Sequence, residues 1–210
     1  RRSKVLCPIR NPKNPNWAQD LASAHIALGQ LYLGIGKNKE ALGQFEMAAP
    51  IVAEFAKADP SNAGLAVRLA WAARYKGSAL RSEKKLVEVE RVIGESIEAL
   101  RSLYADRPDN QDVLAELAEC LTMRGDIARE QEYEQRARES WLEALDLLDA
   151  ASGESKPAPP ALEARARILI RFKRFDEAAA VLKEMDDRLI WAPGMDALKV
   201  ELVEARKRAK

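Results

Sequence analysis

Few side chains in this chain are equipped for chemistry. There is one histidine, His25, and there are two cysteines, Cys7 and Cys120. A histidine-based metal site or a cysteine-rich zinc cluster needs more ligands than that, so neither can be assembled from one chain. His25 falls on an apolar helical stripe about one turn before Leu28-Gly29, and no nucleophile stands beside it. The expectation is a hydrogen-bonded interior imidazole rather than a general base. Cys120, within Leu117-Ala118-Glu119-Cys120-Leu121, has nothing next to it that would stabilise a thiolate and reads as a small buried hydrophobe. Cys7 sits in a loose basic stretch, where exposure alone would make it reactive. The run Leu33-Gly-Ile-Gly-Lys37 lacks the G-x-x-x-x-G-K-[ST] spacing and follows a helix rather than a strand, which excludes a phosphate loop. Paired carboxylates are plentiful, but on a charged helical surface they carry no acid–base information. The expectation is no catalytic residue, no metal and no cofactor, hence no enzyme activity in these residues.

Composition narrows the class further. The 210 residues are 47% hydrophobic and 32% charged, with 34 basic against 33 acidic side chains. A net charge of +1 supplies no general attraction to nucleic acid or membrane. The apolar runs are too short to span a bilayer, and free thiols suit a reducing interior, so a cytoplasmic setting is expected. The chain opens Arg1-Arg2-Ser3 with no apolar stretch of the length a signal peptide needs behind it, and is expected to be a piece of a longer protein. Residues 1–16 hold five basic side chains, no acid and Pro8, Pro12 and Pro15, which reads as a linker or tail.

From residue 17 to residue 188 the strong helix formers Ala, Leu, Glu, Arg and Lys dominate, and the fold class is all-α. The stretch repeats itself. Small residues at Gly29, Ala70, Ala118 and Ala166 are separated by 41, 48 and 48, and Gly36, Gly77, Gly125 and Lys173 share those separations seven residues later. This predicts helical hairpins in which the small residue lets two helices approach and the later position turns the chain. Their bounds are expected near 20–60, 61–108, 109–153 and 158–188, with a final helix within 189–210. The second helices carry apolar stripes: Ala41, Leu42, Phe45, Ala48, Val52 and Phe55; then Leu86, Val89, Ile93, Ile97, Leu100 and Tyr104; then Tyr133, Ala137, Trp141, Leu145 and Leu148. Pro50 predicts a kink in the first of them.

These units resemble tetratricopeptide repeats, especially the elongated ones of kinesin light chain and bacterial signalling proteins. Leu28, Gly29, Tyr32, Gly36, Ala41, Phe45 and Ala48 stand at that family's spacing, and Arg174-Phe-Asp-Glu-Ala178 with Leu182 and Met185 marks a fourth unit. Units two and three depart from it at Ser82, Glu130 and Glu134. The resemblance implies a right-handed superhelix of about four hairpins, closed by a capping helix apolar at Met195, Leu198, Leu202 and Ala205. It also implies a protein-interaction scaffold, the docking part of a larger bacterial signalling protein, binding a peptide or protein on its concave face. The groove positions it implies are Ser23, Ile26, Gln30 and Leu33; Val67, Trp71 and Arg74; Ala115, Glu119 and Thr122; and Glu163, Arg167 and Ile170. Lys and Asn are absent among them, which argues against a carboxylate clamp.

Trp71 beside Arg74 is a hot-spot pair if it faces the groove and an inter-hairpin packing residue if it does not. The alternative from another class is a homodimerisation module of a multidomain enzyme or transcription regulator. Charge adds one further handle. Residues 112–149 hold 11 acids and 4 bases, and residues 154–210 hold 13 bases and 10 acids. A basic partner, or the basic end of a second copy, would be drawn to that acidic middle. Glu130, Glu132, Glu134 and Glu139 otherwise form a solvated face, with Glu132 and Arg136 spaced for intrahelical support.

Overall fold

A computed structural model describes residues 15–59, 61–151, 157–190 and 195–209. Cys7 and the rest of segment 1–14 lie outside them. The described residues form nine helices and no strand: α1 (Pro15–Gly34), α2 (Asn38–Ala58), α3 (Ala63–Ser82), α4 (Leu86–Asp106), α5 (Gln111–Glu130), α6 (Glu134–Ala151), α7 (Pro159–Arg171), α8 (Phe175–Asp187) and α9 (Met195–Arg208). Each helix packs on the next, α6 on α7 and α8 on α9 doing so across breaks in the described chain. First helices touch one another as well, α1 on α3, α3 on α5, α5 on α7 and α7 on α9. The backbones of α2, α4 and α6 stay apart. Close first helices and splayed second helices give an α-solenoid whose first-helix layer is the inner one.

The spacing of the elements corrects the register expected for the turns. The first helices begin at Pro15, Ala63, Gln111 and Pro159, and α2, α4 and α6 begin at Asn38, Leu86 and Glu134, a period of 48. Only α7, with 13 residues against 20 in α1, α3 and α5, is shorter. Gly77 and Gly125 therefore lie inside α3 and α5 rather than at their ends. The turn residues are Gly36, Lys84, Glu132 and Lys173, with φ of 75°, 60°, 65° and 59°. Each turn closes in the same way, the next N–H reaching back five residues: Lys37 to Tyr32, Lys85 to Leu80, Tyr133 to Ala128 and Arg174 to Leu169, at 2.8–3.0 Å. Ser82 and Glu130 end α3 and α5 and do not begin the second helices. The positions matching Ala41 are thus Val89, Ala137 and Ala178, all fully buried. Glu132 stands in a turn, so it gives Arg136 no intrahelical support; Arg136 instead reaches Glu90 on α4 at 3.1 Å.

The period of 48 also corrects the alignment of the small residues: Gly29 corresponds to Gly77 and Gly125, and Ala70, Ala118 and Ala166 correspond to Ala22. Gly29, Ala70, Ala118 and Ala166 are all buried. A Cβ on Gly29 would stand 2.5 Å from Phe45, and one on Gly125 would stand 2.3 Å from Trp141. Gly77 has the same relation to Ile93, where the smaller side chain leaves 3.4 Å. One helix thus meets the bulky side chain sixteen positions on in each long hairpin. Asn62 and Asn110 cap α3 and α5, accepting from Leu65 N–H at 3.2 Å and from Asp112 and Val113 N–H at 3.1 Å. Helix α2 continues through Pro50 as one element. Most buried side chains join one core running from α3 to α9, while Ala22, Ile26, Ala48, Val52 and Ala72 form a separate small cluster under the first hairpin.

Candidate functional site

Helices α3, α5 and α7 turn one charged side each toward the inner layer, and α9 closes its end. On α3 that side carries Trp71, Arg74 and Arg81; on α5, Glu116, Glu119 and Asp126; on α7, Glu163, Arg167 and Arg171; on α9, Glu201. Two rungs cross the helices. In the first, Glu119 lies between Arg74 at 3.7 Å and Arg167 at 2.7 Å. In the second, Asp126 lies between Arg81 at 3.7 Å and Arg171 at 2.8 Å. Arg74 also donates to both oxygens of Glu116, at 2.8 and 3.3 Å, and Arg167 reaches Glu163 at 2.9 Å. Arg171 engages Glu201, and Arg81 engages Glu130. Between the rungs lies a polar cavity of about 280 Å³.

These groups sit in little water. Glu116 and Asp126 are 3% exposed. Burial raises the Glu116 carboxyl above its ordinary range despite the Arg74 guanidinium against it. Burial would lower Arg74, but the charges of Glu116 and Glu119 outweigh it and hold the guanidinium well above its usual value. Arg171 is raised in the same manner against its own desolvation, by Asp126 and Glu201. Burial also raises Glu163. Every carboxylate of the rungs faces a guanidinium, an arrangement that ties helices together and leaves no free acid–base pair.

Four residues expected in the groove, Arg74, Glu119, Glu163 and Arg167, meet in the first rung. Trp71 is beside them, 42% exposed. Ser23 is exposed, and Gln30 and Leu33 are half-buried, all on α1 away from the rungs. Ile26 belongs to the small cluster beneath α1, and Val67, Ala115 and Ile170 belong to the main core. Thr122 is buried, its hydroxyl donating to the Ala118 carbonyl at 2.7 Å. Glu116, Arg81, Asp126 and Arg171 escaped the sequence reading. Arg81 and Asp126 lie beyond Gly77 and Gly125, where the helices were expected to have ended. The recurrence Arg74-to-Arg81 and Glu119-to-Asp126, one heptad apart, is the signal that could have found them.

His25 donates from Nδ1 to Gln44 Oε1 at 2.8 Å, joining α1 to α2. Burial, then the charge of Glu116, pushes the Cys120 thiol well up, so it is inert toward nucleophilic chemistry. Among the described residues no group of three or more His, Cys, Asp or Glu side chains is placed to hold a metal ion, and no helix is long and apolar enough to cross a membrane.

A second feature lies on the other side of α3. An open cleft of about 860 Å³ runs between α2 and α4, floored by Leu69 and Ala73 and walled by Ala49, Ala53, Ala99 and Leu103. The corresponding gap between α4 and α6 is spanned by Arg101 to Glu143 and by Arg136 to Glu90.

No protein-family model matches this sequence, and no curated protein matches it. Among solved structures, a de novo designed helical repeat protein is similar, at 15% identity over 93% of this chain and 97% of that one, with a TM-score of 0.47.

Proposed function

We propose that this chain is a docking scaffold built of tetratricopeptide-like hairpins, which binds an extended or helical peptide of a partner protein along its inner, first-helix face. The observation that carries this reading is Trp71. It is the large apolar side chain left open beside the first rung, at the edge of a face whose charged groups are already paired with one another. Rigid, internally satisfied surroundings with one exposed aromatic anchor are what a binding hot spot requires, because little is left to order on association. The partner peptide would set an apolar residue on the indole. Such scaffolds serve as docking parts of larger signalling proteins, and a bacterial cytoplasmic protein of that kind is the setting we propose.

The test is to pan a random peptide library against the full chain and to measure the selected peptides on wild type and on Trp71→Ala. Affinity should fall by more than about tenfold while the circular dichroism spectrum at the binding temperature stays that of wild type. Peptides that bind Trp71→Ala as tightly as wild type, or a library that yields no binder, would refute the proposal.

A further inference from the structure

The first helix carries an apolar seam that nothing in the described chain covers. Trp17, Leu21, Ala24, Leu28 and Leu31 of α1, and Ile35 in the turn just after it, still bonded to the Leu31 carbonyl, follow one another at alternating spacings of four and three, and all six are exposed: Trp17 39%, Leu21 51%, Leu28 39%, Leu31 68% and Ile35 67%, with Ala24 among them. One period of 48 later, Leu65 and Ala72 are buried and Leu69 is half-buried, and after two periods Val113, Leu117 and Cys120 are buried. There the preceding hairpin supplies the cover. On α1 no described residue covers the seam, and alternating spacings of four and three are the pattern of a helix that packs along another helix.

We infer that α1 is the interface between two copies of this chain, paired antiparallel about a two-fold axis. The seam is symmetric about its own midpoint. An antiparallel copy sets Trp17 against Ile35, Leu21 against Leu31 and Ala24 against Leu28, so that the small side chain meets a large one. The parallel arrangement sets Ala24 against Ala24 and Asp20 against Asp20, leaving a void and a like-charge contact. In the antiparallel arrangement Asp20 of one copy falls beside Tyr32 of the other. Asp20 and His25 are the ionisable acid and base of α1, and His25 is turned to Gln44, so no charge opposes the pairing. At roughly 100 Å² left open on each large side chain, the two seams cover on the order of 1,000 Å², and their flanking residues bring the total into the range of specific interfaces. The face is distinct from the Trp71 surface, so either proposal can fail alone.

The full chain, examined by sedimentation equilibrium across the micromolar range, should show the mass of two chains. Leu31→Glu, at a position open in the single chain, should weaken association by more than about tenfold with helix content unchanged. Val200→Glu, equally exposed on α9, should leave the dimer intact. In a Cys7→Ser background, Leu21→Cys with Leu31→Cys should form a covalent dimer on oxidation. Leu21→Cys alone should not, because the two copies of residue 21 lie about 15 Å apart along the seam. A wild-type mass of one chain, a dimer indifferent to Leu31→Glu, or ready cross-linking by Leu21→Cys alone would each overturn the inference.

Discussion

The Arg74 guanidinium on α3 and the Glu116 carboxylate on α5 form a two-point pair, Nε to Oε1 at 2.8 Å and Nη2 to Oε2 at 3.3 Å, between consecutive hairpins. Its side chains are 16% and 3% exposed, so both charges have left most of their water. Replacing Arg74 by Gln leaves the Glu116 carboxylate buried without its guanidinium, and breaking a buried pair from one side costs about 3–5 kcal/mol. Urea denaturation should therefore show a large loss for Arg74→Gln.

The same pair makes an unusual prediction about pH. Because burial raises the Glu116 carboxyl, the folded chain binds that proton more tightly than the unfolded chain does. Stability from this group is then fully present below the ordinary glutamate value of about 4.3 and is lost as pH rises through the raised value. The stability gap between wild type and Glu116→Gln should widen as the solution is acidified from neutrality. A gap that narrows instead would show that Arg74 holds the carboxyl below its usual range.

Glycine-to-alanine changes should sort by what faces the new methyl group. At Gly125 it meets Trp141 at 2.3 Å and the Ala137 carbonyl at 2.9 Å, and at Gly29 it meets Phe45 at 2.5 Å. Both should destabilise by about 1–3 kcal/mol through overpacking. Gly77, with its nearest contact at 3.1 Å to the flexible Met123, should lose less. Gly94 sits within α4 with nothing inside 4 Å, so alanine there should gain about 0.5–1 kcal/mol from helix propensity. Thermal melts of the four variants test the order.

Lys84 occupies a left-handed turn, φ 60°, where the first hairpin has Gly36. A side chain in that region costs roughly 1–2 kcal/mol, partly offset by the greater unfolded-state freedom of glycine. Lys84→Gly should therefore raise stability by about 0.5–1 kcal/mol in the same melts.

Cys120 is fully buried, and its thiol is pushed up by burial. In a Cys7→Ser background, labelling by a thiol reagent should be negligible under native conditions and should rise in step with unfolding across a denaturant series. Full labelling within minutes in native buffer would contradict the placement of this side chain.

Much of the architecture is legible in the residues. The all-α class, the buried stripes Val89-Ile93-Ile97-Leu100 and Ala137-Trp141-Leu145-Leu148, and the burial of the small residues Gly29, Ala70, Ala118 and Ala166 follow from helical spacing and residue size. The turns of the second and third hairpins do not. A slip of seven residues is nearly two helical turns and rotates a side chain by only about 20°, so an apolar stripe looks the same in either register. Gly77 and Gly125 suit a turn and a close helix crossing equally well. Only Met123 and Ile93 packed over the one, and Trp141 over the other, assign both to crossings. The extra heptad then carries Arg81 and Asp126 onto the inner face, where the second rung forms.

What the sequence determined alone is therefore the helical class, the apolar stripes of the second helices and the scarcity of groups for chemistry, because these are properties of local composition and period. What the tertiary structure decided is where each helix stops and which charges meet. Arg74 with Glu116 and Arg171 with Asp126 lie 42 and 45 residues apart, and a carboxylate's choice among many arginines is made by the stacking of helices, not by the spacing of residues along one of them.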